Sequence, residues 1–320
     1  MWLELTLLIV GFVALIWSAD KFLAGAAATA ANFGVSKMLI GLTVVSIGTS
    51  APEIVVAVMA ALEGNPLLAI GNAIGSNIAN IGLVLGIAAI ITPLSFSQTV
   101  RKRELPWLLG ATFLAVALMF DKYLGFTDSL ILLLGLGYIL WRLFKSQQDV
   151  EVEDDPIEDE LAELPELTRG RGLLWLLIGL AVLLGAAQLL VYAATTIALK
   201  LGVSSMIIGL TIVAIGTSLP ELAATAGSAM KGYSDIAIGN IVGSNILNIL
   251  AVLAVPGLIA GSSLDFAALW RDAGMMLALT LMLAFFAYGI NSRAVITRFE
   301  GSVLLMAWVG YNLLLVFQAR

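Results

Sequence analysis

Two glutamates, Glu53 and Glu221, stand in the middle of long stretches that are otherwise uncharged. Inside a membrane-spanning helix an ionised carboxylate is costly and is functional by default. Each glutamate follows a threonine and a serine by four and three positions, and residues at these spacings share one helix face. The sequence therefore predicts two clusters of carboxylate and hydroxyl oxygens, the ligands that Na⁺, Ca²⁺ and Mg²⁺ prefer. The clusters comprise Thr49, Ser50 and Glu53, and Thr217, Ser218 and Glu221.

A proline immediately precedes each of these glutamates, at Pro52 and Pro220. Proline has no backbone N–H, so the carbonyl four residues earlier loses its helical hydrogen bond. The backbone carbonyls of residues 46–48 and 214–216 are therefore further candidate ligands. The alternative is a simple proline kink in which the glutamate is hydrogen-bonded between helices. That alternative leaves the matched second copy unexplained.

A second polar pattern follows each glutamate. Its members are spaced four residues apart, which keeps them near one helix face. Their amide and hydroxyl oxygens can complete the shell of an ion, or they can hold helices together by hydrogen bonds. The pattern consists of Asn72, Ser76 and Asn80, and again of Asn240, Ser244 and Asn248. Both interpretations stay open for Asn72, Asn77, Asn240 and Asn245.

These patterns belong to an internal repeat. With an offset of 168 residues and no gap, residues 31–90 match residues 199–258 at 29 of 60 positions. The identities concentrate in two pairs of segments, 41–54 with 209–222 and 71–81 with 239–249. Two copies of one polar pattern favour a binding site between repeats, near the middle of the membrane.

The composition is typical of a polytopic membrane protein. Of the 320 residues, 60% are hydrophobic and only 12% are charged, about half the roughly 25% of a soluble domain. Uncharged runs of about twenty residues predict membrane-spanning helices, so the expected fold class is all-α. We place ten spans at 3–30, 37–62, 66–92, 104–121, 126–145, 172–199, 205–230, 235–260, 268–290 and 297–318. Five spans in each half make the second repeat enter the membrane in the inverted sense.

An acidic segment, 146–171, separates the first five-helix repeat at 1–145 from the second at 172–320. It contains ten carboxylates and two prolines, and we interpret it as a solvated linker. If the N-terminus is outside, eleven lysines and arginines fall in cytoplasmic loops and four fall outside. The positive-inside rule therefore predicts that both termini are outside and that the linker is cytoplasmic.

The residues that are missing exclude several classes of protein. The chain has no cysteine and no histidine, which excludes thiolate chemistry, iron–sulfur clusters, Ser-His-Asp catalysis and histidine-ligated zinc. No segment resembles a phosphate-binding loop, so nothing points to ATP-driven pumping. We therefore expect a protein that is not an enzyme and uses no cofactor.

The two repeated blocks resemble those of the calcium/cation antiporter superfamily, and most closely the prokaryotic sodium/calcium exchangers. The motifs are GTSAPE and GTSLPE, followed by GNAIGSNIAN and GNIVGSNILN. The resemblance implies one ion site built by the second, third, seventh and eighth helices. Its implied ligands are Thr49, Ser50, Glu53, Ser76, Asn80, Thr217, Ser218, Glu221, Ser244 and Asn248, with the backbone oxygens of Ser46 and Ala214.

The function that the resemblance implies is exchange of Na⁺ for Ca²⁺ across the plasma (inner) membrane by alternating access. Asn248 stands where potassium-dependent relatives usually carry aspartate, which argues against co-transport of K⁺. Proton-coupled relatives typically carry a further glutamate where this chain has Ile74 and Val242, yet H⁺/Ca²⁺ antiport stays the alternative. A cation channel fits a two-sided, inverted pair of sites less well. The expected partners are Ca²⁺, Na⁺ and the lipid bilayer, with no nucleic acid and no obligatory protein partner.

Overall fold

The structure, a computed structural model, describes residues 2–32, 50–148, 167–266, 269–288 and 294–318, and almost all of them are helical. The helices are α1 (Trp2–Asn32), α2 (Ala51–Leu62), α3 (Pro66–Ile91), α4 (Val100–Asp121), α5 (Phe126–Gln148), α6 (Arg169–Leu201), α7a (Ser205–Thr217), α7b (Leu219–Met230), α8 (Ser234–Ile259), α9 (Trp270–Tyr288) and α10 (Arg298–Gln318).

The helices lie where the uncharged runs predict them, within a few residues. Of the predicted span 37–62, only the second half is among the described residues, as α2. In the described parts of the chain, seven helices are long and apolar enough to cross a membrane, or eight if α7a and α7b form one bent span. The number of ten spans therefore stays a prediction.

The ends of the acidic segment are helical rather than part of a linker. Helix α5 continues to Gln148 and α6 begins at Arg169, three residues inside each predicted boundary of 146–171. The acidic residues 149–166 lie outside the described part of the chain. The prediction of a solvated linker for these residues stays untested.

Several helices contain short π-helical turns. Such turns are rare and often occur at functional sites, because the wider turn disturbs the regular hydrogen-bond ladder. Two of them begin at corresponding positions of the repeat, Asn80–Leu85 in α3 and Asn248–Val252 in α8. A third, Gly209–Val213, lies in α7a, one turn before the Thr-Ser pair. These three turns thus lie in or beside the repeated polar motifs, whereas two others in the described residues, Val100–Glu104 and Leu269–Ala273, lie at the starts of α4 and α9.

Helices α1 and α6 pack against each other along most of their length and run antiparallel. Glu4 at the start of α1 accepts a hydrogen bond of 2.6 Å from Lys200 at the end of α6. Near the other end, a Cβ on Gly25 would lie 2.3 Å from the backbone nitrogen of Leu176, so only glycine permits this approach. With the offset of 168 residues, α6 is the counterpart of α1 in the second repeat. Their antiparallel packing therefore agrees with an inverted repeat.

Two short antiparallel strand pairs join loops from opposite halves. Strand β1 (Leu94–Ser95) pairs with β4 (Val295–Ile296), and β2 (Tyr123–Leu124) pairs with β3 (Ser262–Ser263). In each pair, the two loops are ones that the predicted orientation places on the same side of the membrane. The pairs therefore tie the two halves together at both ends of the helices.

Helices α3 and α8 lie at the centre of the fold. Most of their residues are buried, whereas α1, α6 and α10 expose most of theirs to the surroundings. Helix α3 contacts α2, α7a and the π-helical turn of α8. The two helices that carry the asparagine–serine motifs thus contact the helices that carry or adjoin the glutamates.

Candidate ion-binding site

Glu53 and Glu221 occupy equivalent places, each in the first turn of a helix that begins one residue before the proline. Ser50 stands at the N-cap position of α2 and Ser218 at that of α7b, and neither hydroxyl forms a capping hydrogen bond. Both glutamates are fully buried. A helix N-terminus carries partial positive charge, so this location favours a carboxylate in otherwise apolar surroundings.

The second copy of the glutamate motif does not lie on one continuous helix. Helix α7a ends at Thr217, α7b begins at Leu219, and the two are inclined by 45°. The prediction that Thr217, Ser218 and Glu221 lie on one regular helix is therefore not met for this copy, whereas their common orientation stays a prediction. The proline and the preceding Gly216 break the ladder, and the bend places Thr217 and Glu221 on separate helical segments.

Among the described residues, neither glutamate forms an ion pair with a basic side chain. Within the described residues, both carboxylate oxygens of Glu53 and of Glu221 are buried and have no hydrogen-bond partner. The helical segments that carry the two motifs are in contact, since α2 packs against the end of α7a. Buried charges of one sign without a partner are strongly unfavourable. The two carboxylates therefore require a positive charge, such as a bound cation, that the described side chains do not supply.

Another buried carboxylate of the same protein shows the contrast. Asp272 at the start of α9 is also fully buried. It accepts hydrogen bonds of 2.6 and 2.8 Å from Arg271 and one of 2.7 Å from the Tyr311 hydroxyl of α10. Its charge is compensated within the chain, as is usual for a structural carboxylate. Glu53 and Glu221 differ from it in this respect.

Helix α3 brings its polar residues to α7a. The hydroxyls of Ser76 and Thr217 lie 3.3 Å apart, and Thr217 also donates to the Asn72 amide oxygen at 3.2 Å. Glycines make this contact close, because a Cβ on Gly75 would lie 2.6 Å from the Leu210 carbonyl oxygen. The GxxxG spacing of the sequence thus brings hydroxyl and amide oxygens of the two repeats together.

The π-helical turns that begin at Asn80 and Asn248 each contact the opposite repeat. The turn that starts at Asn80 packs against α7b, which carries Glu221. The turn that starts at Asn248 packs against α2, which carries Glu53. Both asparagines are fully buried. Each repeat therefore contributes an amide beside the glutamate-bearing helix of the other repeat.

Most of the predicted site residues are buried on these interior helix surfaces. Ser50, Ser76, Thr217, Ser218, Ser244 and Ala214 all have relative exposures of 3% or less. Thr49 and Ser46 lie outside the described residues. No group of three or more carboxylate, histidine or cysteine side chains that could hold a metal occurs among the described residues. An ion here would be held by two carboxylates and by neutral oxygens.

For two residues that contact the site, Asn72 and Asn245, the sequence did not decide between ion binding and helix packing. Asn245 accepts a hydrogen bond of 3.0 Å from the side chain of Asn80, and Asn72 accepts one from Thr217. Both belong to the repeated motif, so the signal was present in the sequence. Nothing in the spacing distinguished an asparagine that contacts another site residue from one that packs helices together.

Comparison with known proteins gives one consistent result. The profile of the family described as "Sodium/calcium exchanger protein" matches residues 3–145 and 171–317. The protein CaxA of Alkalimonas amylolytica is 45% identical over 96% of this chain and 97% of its own length. The inner membrane protein YrbG of Escherichia coli K12 is 41% identical over 89% of this chain and 88% of its own length.

Solved structures agree with the sequence comparison. A structure of the sodium-calcium exchanger NCX_Mj, soaked with Na⁺ and Sr²⁺, superposes with a TM-score of 0.64 at 33% sequence identity and covers 99% of both chains. Proteins of this kind are transporters whose substrates are the ions themselves, so the chain is a membrane cation/Ca²⁺ antiporter, not an enzyme. The two matched motifs, the fold and these similarities together place the chain in the sodium/calcium exchanger protein family.

Proposed function

We propose that this protein exchanges Na⁺ for Ca²⁺ by alternating access, without K⁺. The observation that carries the proposal is the pair of buried, unpaired carboxylates of Glu53 and Glu221. The proposed ligands are Thr49, Ser50, Glu53, Ser76, Asn80, Thr217, Ser218, Glu221, Ser244 and Asn248, together with the backbone oxygens of Ser46 and Ala214.

The charge of this site explains why two different ions compete for it. Two carboxylates contribute two negative charges, which one Ca²⁺ or two Na⁺ neutralise. Oxygen ligands of this kind suit both ions. A third Na⁺ at the hydroxyl and amide oxygens would leave one positive charge, as in the three-for-one exchange that the family resemblance implies.

The same charge couples the two ion fluxes. Without ions, the site would hold two uncompensated negative charges inside a low-dielectric protein, which costs several kcal/mol per charge. Movement of the empty site across the membrane barrier is therefore rare. Each crossing requires bound Ca²⁺ or bound Na⁺, and a carrier with this restriction exchanges one for the other.

Sliding of α1 and α6 past the central helices would expose the site to either side in turn. Their mutual contact is lined by glycine, and a Cβ on Gly179 would lie 2.5 Å from the backbone nitrogen of Phe22. Helix α1 also reaches the bend between α7a and α7b, since the Phe12 ring occupies the space of a side chain at Gly216. These contacts support the proposal that α1 moves when the ions bound at the site change.

The proposed location is the inner membrane, with both termini outside and the acidic segment in the cytoplasm. The distribution of lysine and arginine supports this orientation. The strand pairs agree with the alternation of the loops, because each pair joins two loops on the same side of the membrane, but they do not distinguish the cytoplasmic side from the outer side.

Transport by purified protein in liposomes tests the coupling ion. Vesicles loaded with Na⁺ should accumulate radiolabelled Ca²⁺ from a Na⁺-free medium, whereas vesicles loaded with choline should not. An imposed pH gradient in the absence of Na⁺ should produce no uptake. Uptake that is equal in the two loadings would contradict Na⁺ coupling, and uptake driven by the pH gradient would favour H⁺/Ca²⁺ antiport instead.

A further inference from the structure

Asn77 and Asn245 are counterparts in the repeat, and they meet where α3 and α8 pack against each other. Both side chains are buried, with relative exposures of 1% and 0%. Neither is among the ligands proposed above. Each precedes by three positions the asparagine that begins a π-helical turn, Asn80 or Asn248. Their hydrogen bonds therefore bear on the orientation of two site amides.

The contacts of Asn245 fix the orientation of its amide. Its Nδ2 donates to the backbone oxygen of Asn77 at 3.4 Å, and a backbone carbonyl only accepts. Its Oδ1 is therefore the atom that faces Asn80. An amide oxygen also only accepts, so Asn80 presents its own Nδ2, and the bond is 3.0 Å long. The orientation of the first amide thus determines that of the second.

The consequence is a free oxygen on Asn80. Its Oδ1 is buried and has no hydrogen-bond partner among the described residues. An amide attracts a cation through its oxygen and repels it through its NH₂ group. With its NH₂ group turned toward Asn245, Asn80 turns its oxygen away from that bond, and the turn that it begins packs against α7b, the helix of Glu221.

The corresponding bond in the other half is not made. Asn77 donates to the carbonyl of Ala73 in its own helix at 2.8 Å, and its Oδ1 has no partner in the described structure. Neither amide atom of Asn248 has a partner within the described residues. The amide of Asn80 is therefore held in one orientation by the opposite repeat, whereas that of Asn248 is held by no described side chain.

We propose that Asn245 is a positioning residue that holds the Asn80 amide with its oxygen available to the cation. The inference rests on the proposed function, because it presupposes that Asn80 is a ligand. Groups that orient a ligand in this way typically change metal affinity by 10–100-fold when they are removed. If Asn245 only joined α3 to α8, its removal would lower the stability of the protein. It would then affect Ca²⁺ binding equally, whichever side chain occupied position 80.

A double-mutant cycle on the full-length protein separates these roles. Asp at position 80 has an oxygen in both orientations, so it needs no partner to present one. In the Asn80→Asp background, Asn245→Leu should change the Ca²⁺ dissociation constant by less than about threefold. In the natural background, Asn245→Leu should weaken Ca²⁺ binding about 10–100-fold. Calorimetric titration of Ca²⁺ into Na⁺-free protein measures both values, and thermal unfolding is recorded for every variant.

The possible outcomes distinguish a positioning role of Asn245 from a purely structural one. A loss confined to the natural background supports the inference, as does the same result with Asn245→Ala if the leucine variant is poorly folded. Equal losses in both backgrounds, or no loss in the natural background, would overturn it while leaving the proposed function intact. Absence of Ca²⁺ binding by the unmodified protein would instead overturn the proposed function, and this inference with it.

Discussion

The Glu53→Gln variant is expected to show no Na⁺-dependent Ca²⁺ exchange, and Glu221→Gln should be equally inactive. Each substitution keeps the shape of the side chain but removes one of the two buried charges that neutralise Ca²⁺. Breaking a buried charge pair by removing one partner costs about 3–5 kcal/mol, so Ca²⁺ affinity should fall by at least about 100-fold. Radiolabelled Ca²⁺ uptake into Na⁺-loaded proteoliposomes measures the effect.

The chain offers a matched control at the end of α2. Glu63 directly follows α2 and is exposed, so Glu63→Gln should exchange normally. The folded fraction of each glutamine variant should not fall, because a buried charge without an ion pair is replaced by a neutral side chain of the same shape. Normal exchange by either Glu53→Gln or Glu221→Gln would show that the site lies elsewhere.

Ca²⁺ accumulation is expected to depend steeply on membrane potential. Exchange of three Na⁺ for one Ca²⁺ moves one net positive charge in the direction of Na⁺, so an inside-positive potential should promote Ca²⁺ uptake by Na⁺-loaded vesicles. One charge moving through 100 mV corresponds to about 2.3 kcal/mol. The equilibrium Ca²⁺ gradient should therefore change about 50-fold for each 100 mV.

Proteoliposomes clamped with K⁺ and valinomycin provide this measurement. The Na⁺ gradient is held constant while the K⁺ gradient sets the potential, and the final Ca²⁺ distribution is recorded at each value. Because the proposed exchange does not involve K⁺, vesicles without valinomycin serve as the control for K⁺ itself. A Ca²⁺ distribution that is indifferent to the potential would contradict three-for-one exchange and indicate two Na⁺ per Ca²⁺.

Much of the helical arrangement follows from the sequence, because the bilayer imposes simple requirements. Long uncharged runs must be helical, and charged residues or glycine and proline interrupt them. The predicted positions of α3, α6 and α8 agree with the structure to within three residues. Spacing also identified the polar residues that the structure buries together, such as Ser76 and Thr217, because the repeat presents each of them twice.

The details of the backbone within the site could not be predicted. The proline at position 220 indicated a break, but the sequence did not reveal that α7a and α7b are inclined to each other by 45° at Ser218. The π-helical turns at Asn80 and Asn248 have no recognisable local signal, since they depend on packing between the repeats. The different bonding of Asn77 and Asn245 is likewise invisible in two nearly identical motifs.

Competition between Na⁺ and Ca²⁺ for purified protein tests whether one site serves both ions. The proposed site predicts about one bound Ca²⁺ per chain in Na⁺-free buffer, because two carboxylates neutralise one divalent ion. Added Na⁺ should displace it completely, with a Hill coefficient above one, and the Glu53→Gln/Glu221→Gln double variant should bind no Ca²⁺. Ca²⁺ that stays bound at saturating Na⁺, or that binds equally to the double variant, would contradict exchange at this pair of glutamates.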